Sequence, residues 1–264
     1  MADGTPGGYG VSPRFDPRHV GLDQAGSLLR ETYALIAQSP LRLFAIVFLL
    51  SLISLALEST LPFYFGLVAR GAVGAIWFTG FYVALESART GKPPGLRDFE
   101  AVLRLDPGKF TLLAIVGSVP MILVLLGWWA DWGLDAMVQF TASTGDGTGA
   151  PQVMPQREKV LFDVIDDFAQ VPFFFVLPLC ALYPWNASRT LSGSLIAVAR
   201  NSNWVLVLTL VTLGIDIGVD VIYDFLAPQS VMSELVRLLV SFFYLFVAIA
   251  ASAFTLILLQ RSLR

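Results

Sequence analysis

The chain has 264 residues, of which 56% are hydrophobic and 14% charged, and its formal net charge is −3. Soluble domains are about 25% charged, so this composition excludes a water-soluble globular protein. The basic residues are scattered and do not indicate a nucleic-acid partner, while one Cys and one His exclude an intrachain disulfide and leave too few ligands for a typical zinc, haem or iron–sulfur cofactor.

Residues 1–26 are rich in Gly, Pro and charged side chains, which predicts a flexible cytoplasmic tail. The tail contains no apolar segment typical of a secretory signal peptide, so we expect the first transmembrane helix to act as an uncleaved targeting signal. Residues 27–264 are predicted to form an all-α domain that passes repeatedly through the membrane.

Six segments are apolar and long enough to cross a hydrocarbon core about 30 Å thick. They pair into three predicted hairpins, and residues 131–167 form an extracytoplasmic loop between the third and fourth segments. The six predicted crossings are Leu41–Leu61, Phe65–Ala88, Phe110–Ala130, Phe168–Ser188, Asn203–Val221 and Val236–Gln260. The prolines of the fourth, Pro172, Pro178 and Pro184, predict a kinked packing helix.

The positions of Lys and Arg predict the orientation, because short cytoplasmic loops collect positive charge. Thirteen of the 17 basic residues lie before or at the start of the first crossing, after the last, or between the second and third or the fourth and fifth. We therefore expect both termini to be cytoplasmic. The opposite side is predicted to be acidic.

A short amphipathic segment precedes each odd-numbered crossing: Leu28–Ala37, Leu96–Leu105 and Leu191–Ala199. Each is too short to span a bilayer, and a helix with one apolar face beside basic residues is typical of the headgroup boundary. We predict three cytoplasmic interfacial elbow helices. The alternative is that loops beside a bilayer are generally amphipathic.

Three short motifs carry a resemblance: Ser39-Pro40-Leu41, Gly91-Lys92-Pro93-Pro94 with Leu96-Arg97-Asp98-Phe99, and the segment from Ser194 to Trp204. With them, the chain resembles six-helix bacterial inner-membrane proteins related to the membrane domain of glycerophosphodiester phosphodiesterases. The soluble phosphodiesterase domain of that family has no counterpart here. The resemblance therefore implies a fold and no hydrolase activity.

Ionisable side chains at membrane depth are costly and are functional candidates. Glu58 and Arg70 lie on either side of the turn between the first two crossings, so we interpret them as a hairpin-closing ion pair. Asp216, Asp220 and Asp224 recur every four residues and form one stripe on the fifth crossing. The stripe can face an aqueous vestibule or a partner's basic residues, which we favour, or it can line a route for a cation or proton.

No set of nucleophile, base and acid is present in the sequence, so we do not expect an enzyme. The sequence favours a non-catalytic accessory or scaffold subunit of an inner-membrane assembly, in contact with membrane lipids and with other membrane subunits or further copies of itself. The alternative is a transporter of a small molecule, ion or lipid that uses the acidic stripe. We expect no cofactor in either case.

Overall fold

The computed structural model describes residues 16–61, 63–145, 156–225 and 231–263, and every regular element in these ranges is a helix. The α-helices are α1 Ala25–Ala37, α2 Pro40–Thr60, α3 Phe63–Arg89, α4 Glu100–Leu103, α5 Pro107–Gly145, α6 Gln156–Gln170, α7 Val176–Leu182, α8 Ala187–Arg200, α9 Ser202–Phe225 and α10 Val231–Ser262. Short 3₁₀ turns cover Leu22–Gln24, Leu96–Phe99 and Val171–Phe173. The prediction of an all-α fold is confirmed for the described residues.

Four of these helices contain a segment long and apolar enough to cross a membrane: Phe65–Arg89, Pro107–Ala130, Ser202–Ile222 and Leu235–Ser262. A fifth candidate is the pair Leu22–Ala37 and Pro40–Ile53, which is bent by 85° at its break. These four or five candidate spans fit a multi-pass membrane protein. The predicted six crossings are not confirmed.

The largest difference from the predicted crossings lies at Phe168–Ser188, where the structure has no single helix. α6 ends at Gln170, a 3₁₀ turn follows, and α7 ends at Leu182. Tyr183, which precedes Pro184, is extended with φ −119° and ψ 137°, because a residue before proline avoids the helical region. Pro172 in the 3₁₀ turn and Pro184 after α7 therefore divide this segment into short pieces, where a kink was predicted, while Pro178 lies within α7.

The loop predicted at residues 131–167 also differs, because α5 continues through Gly145 and α6 already begins at Gln156. The remaining residues 146–155 lie outside the described part of the chain. α6 runs back along α5: the rings of Trp128 and Phe162 are 5.7 Å apart, and Ile165 packs over Gly127. Much of the predicted loop is therefore a helical hairpin.

The three predicted amphipathic segments are helical in the structure. Leu28–Ala37 belongs to α1 and Leu191–Ala199 to α8, while Leu96–Leu105 forms a 3₁₀ turn followed by the single turn of α4. Each precedes a break and then a long helix, as the repeated pattern indicated. Their position along a membrane surface stays a prediction.

The C-terminal half of α10 forms the centre of the bundle. Residues 252–259 are buried on every face of the helix, and Leu256, Leu258 and Leu259 are fully enclosed. α10 packs against α1, α2 and α3. A helix that is apolar all round is stable in this position because each of its faces meets another helix.

α3 and α5 cross with their backbones in contact. A Cβ atom added to Gly71 would lie 2.1 Å from the carbonyl oxygen of Gly117, and one added to Gly117 would lie 2.0 Å from the carbonyl oxygen of Gly71. The backbones can come this close because both residues at the crossing are glycine. Such close packing at small residues is common between membrane helices. The crossing fixes α3 and α5, and α5 in turn supports α6.

One end of the bundle, which we call the basic end, collects the cations Arg30, Arg42, Arg89, Lys92, Arg200 and Arg261. Arg261 pairs with Glu31 of α1, and the Gln260 side chain donates a 2.8 Å hydrogen bond to Glu86 of α3. The first contact joins the end of α10 to α1, and the second joins it to the end of α3. The membrane side that the basic end faces stays a prediction.

Asn201, at the break between α8 and α9, ties the N-terminal segment to the basic end. Its side-chain oxygen accepts a 2.9 Å hydrogen bond from the Val20 amide, and the Trp204 indole donates to the Val20 carbonyl at 3.0 Å. Asn201 is fully buried. Val20 lies within the predicted tail of residues 1–26, so this part of the segment is bound to the helical domain.

Lys109 occupies a buried position at the start of α5, with 4% of its surface exposed. Its ammonium group donates to the carbonyl oxygens of Tyr183 at 2.6 Å and Cys180 at 3.3 Å. These carbonyls lie at the C-terminal end of α7, where backbone oxygens have no partner within the helix. Lys109 therefore holds the broken segment against α5.

We expect Lys109→Met to destabilise the protein by about 1–3 kcal/mol, because buried carbonyl oxygens would lose a charged donor. Thermal unfolding in detergent measures the loss. Arg104→Met is the matched control, since the Arg104 side chain is 80% exposed. Equal melting temperatures for the two variants would show that the Lys109 bonds do not support α7.

Candidate functional site

Five carboxylates from two helices meet between α6 and α9, and we call them the acidic cluster. Asp163, Asp166 and Asp167 follow one another at helical spacing on α6, and Asp216 and Asp220 are four residues apart on α9. α6 packs against α9, and carboxylates of each helix act electrostatically on the other. The apolar face of α6 contacts α5, which turns its acidic face toward α9.

Hydrogen bonds compensate the carboxylates of α6 only in part. The Thr212 hydroxyl lies 3.5 Å from both carboxylate oxygens of Asp167, at the limit of hydrogen bonding, and lies closer to the Thr209 carbonyl at 3.0 Å. One oxygen of Asp163 and one of Asp166 are buried with no hydrogen-bond partner. A buried carboxylate without a partner strongly favours its neutral, protonated form.

Burial and neighbouring negative charge raise the pKa values of the α6 carboxyls. Burial is the largest cause of the rise at Asp163, followed by the charges of Asp220, Asp216 and Asp166, and the pKa of Asp163 reaches about 7. The pKa of Asp167 also rises to about 7, first through burial and then through the carboxylates of Asp166 and Asp163. Asp163 and Asp167 therefore keep their protons to a higher pH than an ordinary aspartate does.

Two cations, one amide and one hydroxyl act against this rise, the hydroxyl being that of Thr212, which lowers the pKa of Asp167. Lys159 lowers the pKa of Asp163. At Asp166 burial still dominates and raises the pKa, although a hydrogen bond with Gln170 and the charge of Arg70 lower it. Arg70 of α3 is thus close enough to the acidic cluster to influence it, so three helices contribute charges to the site.

The structure places only part of the predicted polar set. Asp216 and Asp220 lie half-buried within the acidic cluster, and Arg70 acts on Asp166. The side chains of Glu58 and Asp224 lie outside the described residues, so the Glu58–Arg70 pair and the third member of the stripe stay predictions. Sequence analysis favours water or a partner's basic residues opposite the stripe, with an ion route as the alternative, and in the structure α6 and its carboxylates lie opposite Asp216 and Asp220.

Sequence analysis placed Asp163, Asp166 and Asp167 on the acidic extracytoplasmic side but did not name them as site residues. Their spacing carried a usable signal, since carboxylates three and four residues apart share one helix face. The identity of the facing helix was not contained in that spacing. It depends on how α6 docks on α5 and α9.

Among the described residues, no group of three or more His, Cys, Asp or Glu side chains is placed to hold a metal ion. The arrangement is better suited to protons, which carboxylates bind singly or share in pairs.

No protein-family model, curated protein or solved structure matches the chain.

Proposed function

We propose that the protein is a membrane transport protein in which the acidic cluster binds and passes on protons. The observation that supports this proposal is the convergence of half-buried carboxylates on α6 and α9, of which Asp163 and Asp166 on α6 each have one buried oxygen without a hydrogen-bond partner. Carboxylates so close together cannot all be ionised at low cost, so the site takes up protons near neutral pH. Ionisable groups at such positions in membrane proteins mark proton relays and ion pathways.

The order of the side chains supports a path along α9. Asp220 and Asp216 act on Asp163, and Asp167 lies beside Thr212, so polar groups follow one another over two turns of α9. Two turns correspond to about 11 Å along the helix axis. A proton can move between carboxyls that are linked directly or through water, and buried Thr209 extends the polar groups one step further.

The site needs no covalent chemistry for this role. Protonation of one carboxyl removes a charge that repels its neighbours, which lowers the energy of the closed α6–α9 packing. Loss of the proton restores the repulsion. Proton binding and helix packing are therefore coupled, and this coupling is the property that a proton-driven transporter requires.

A second candidate is the accessory or scaffold subunit, which the exposed surface of α9 favours. Only 11% of the apolar segment of the candidate span Ser202–Ile222 is buried inside the protein. Nothing lies within 4 Å of a Cβ atom added to Gly214 or Gly218. Small residues allow close helix contact in membranes. This face suits a helix of another membrane subunit or of a second copy, in a bacterial inner membrane with both termini cytoplasmic.

Infrared titration tests whether the acidic cluster holds protons. In reconstituted protein, we expect absorption from protonated carboxyl groups to persist above pH 5 and to disappear with a midpoint near pH 7, the pKa of Asp163 and Asp167. The double variant Asp163→Asn/Asp167→Asn should lose the part of this component that these two carboxyls contribute, because its amides do not titrate.

Asp23→Asn is the matched control, since Asp23 is an exposed aspartate in the 3₁₀ turn before α1. It should leave the titration unchanged. Carboxyl absorption that has vanished by about pH 5 in the wild-type protein, near the range of ordinary aspartates, would remove the basis of the proposal.

A further inference from the structure

A groove of about 730 Å³ opens at the basic end, far from the acidic cluster in the chain. It is formed by residues 38–42, at the bend between α1 and α2, and by residues around the end of α3. Arg42, Arg89 and Lys92 line it, and no Asp or Glu is among its lining residues. The groove is therefore positively charged.

The two uncompensated cations of the groove are Arg42 and Lys92. Arg89 is paired with Glu86 by two hydrogen bonds, whereas neither Arg42 nor Lys92 pairs with any described residue. Lys92 is placed by the turn that ends α3: Gly91 adopts φ +76°, and the Lys92 amide donates to the Ser87 carbonyl at 2.9 Å. Glycine adopts this backbone conformation without strain.

The start of α2 adds a further attraction for anions. Pro40 is its first residue, and the amides of Leu41 and Arg42 lie in the first turn, where the helix provides no acceptor. Such amides and the helix dipole favour a phosphate group. The side chains and the backbone thus present positive charge to the same groove.

An apolar strip leads away from the groove along α2. Leu41, Ala45, Phe48 and Leu52 are exposed and lie at helical spacing on one face. Leu41, which also lines the groove, is 83% exposed. A free phosphate ion would gain nothing from this strip, whereas an acyl chain of a lipid would lie against it.

We propose that this groove binds the phosphate headgroup of an anionic phospholipid, with an acyl chain along the exposed face of α2. Arg42, Lys92 and the first amides of α2 hold the phosphate. Arg89 stays with Glu86 and contributes a weaker field. The 85° bend between α1 and α2 is what brings these groups together at the level where an apolar helix begins.

Native mass spectrometry of the full chain with phosphatidylglycerol or phosphatidylcholine tests the proposal. We expect a phosphatidylglycerol adduct on the wild-type protein and a much weaker phosphatidylcholine adduct. Each removed cation should weaken phosphatidylglycerol binding about fivefold, the scale expected for one Lys or Arg beside an anionic lipid surface. Arg42→Gln/Lys92→Gln should therefore lose most of the adduct.

Arg104→Gln is the control for general surface charge, because Arg104 is exposed and is not among the lining residues of the groove. It should bind phosphatidylglycerol like the wild-type protein. Equal binding by the double variant, or equal binding of both lipids by the wild-type protein, would overturn the proposal. Displacement of the lipid by millimolar inorganic phosphate would also overturn it, since that result assigns the groove to a free anion.

Discussion

Replacing Gly117 by Ala is expected to lower the melting temperature of the protein strongly and to broaden its size-exclusion peak. The new methyl group would lie 2.0 Å from the Gly71 carbonyl oxygen and 2.6 Å from its carbon. Backbone atoms cannot rotate away as a side chain can, so α3 and α5 must separate. Overpacking costs about 1–3 kcal/mol even where side chains can adjust, and we expect the upper part of this range or more.

Gly74→Ala on α3 is the matched control, because nothing lies within 4 Å of a Cβ atom added there. This change should stabilise the protein slightly, since alanine is favoured over glycine in a helix interior by about 1 kcal/mol. The two substitutions are chemically identical and have opposite expected signs. Unfolding of both variants at the same temperature would show that α3 and α5 do not cross at Gly71 and Gly117.

The long helices were predictable because the absence of charge over about 20 residues has one stable outcome in a membrane. α3, α9 and α10 were found within a few residues of their predicted bounds. The amphipathic segments before α2 and α9 were also found, since their apolar residues recur with helical spacing. Such features are local and can be read from neighbouring residues.

The prediction of one kinked helix at Phe168–Ser188 failed for a different reason. Hydropathy measures only whether residues are apolar. Whether a single helix can run through Phe168–Ser188 depends on Pro172 and Pro184. Lys109 then makes the broken form stable by binding the carbonyls of Cys180 and Tyr183. Lys109 precedes Cys180 by 71 positions and Tyr183 by 74 positions in the chain. A local sequence pattern does not reveal contacts over such separations.

The candidate site was half predictable for the same reason. The spacing of Asp216 and Asp220 placed them on one face of α9, and the structure keeps them together. Their neighbours Asp163, Asp166 and Asp167 belong to α6, whose position depends on the contacts of Phe162 and Ile165 with α5. The meeting of two acidic faces is a tertiary feature, and it alone distinguishes a buried site from a hydrated surface.

Proton flux into vesicles tests the central claim, that the acidic cluster of a membrane transport protein binds and passes on protons. The protein is reconstituted into liposomes carrying an internal pH dye, and a potassium gradient with valinomycin sets the membrane potential. We expect wild-type protein to conduct protons faster than protein-free liposomes. Asp216→Asn and Asp167→Asn should each reduce the rate to that of protein-free liposomes, because each removes a titrating group from the path.

The control Asp23→Asn should keep the wild-type rate, and all variants should show the wild-type reconstitution yield and a melting temperature no lower than that of the wild type. Loss of flux in the two cluster variants alone is the result that the transport proposal predicts. Wild-type protein that conducts no faster than empty liposomes, or an Asp216→Asn variant that conducts like the wild type, would contradict it. If purified protein then also retained a stoichiometric membrane partner, the accessory-subunit role would be favoured in its place.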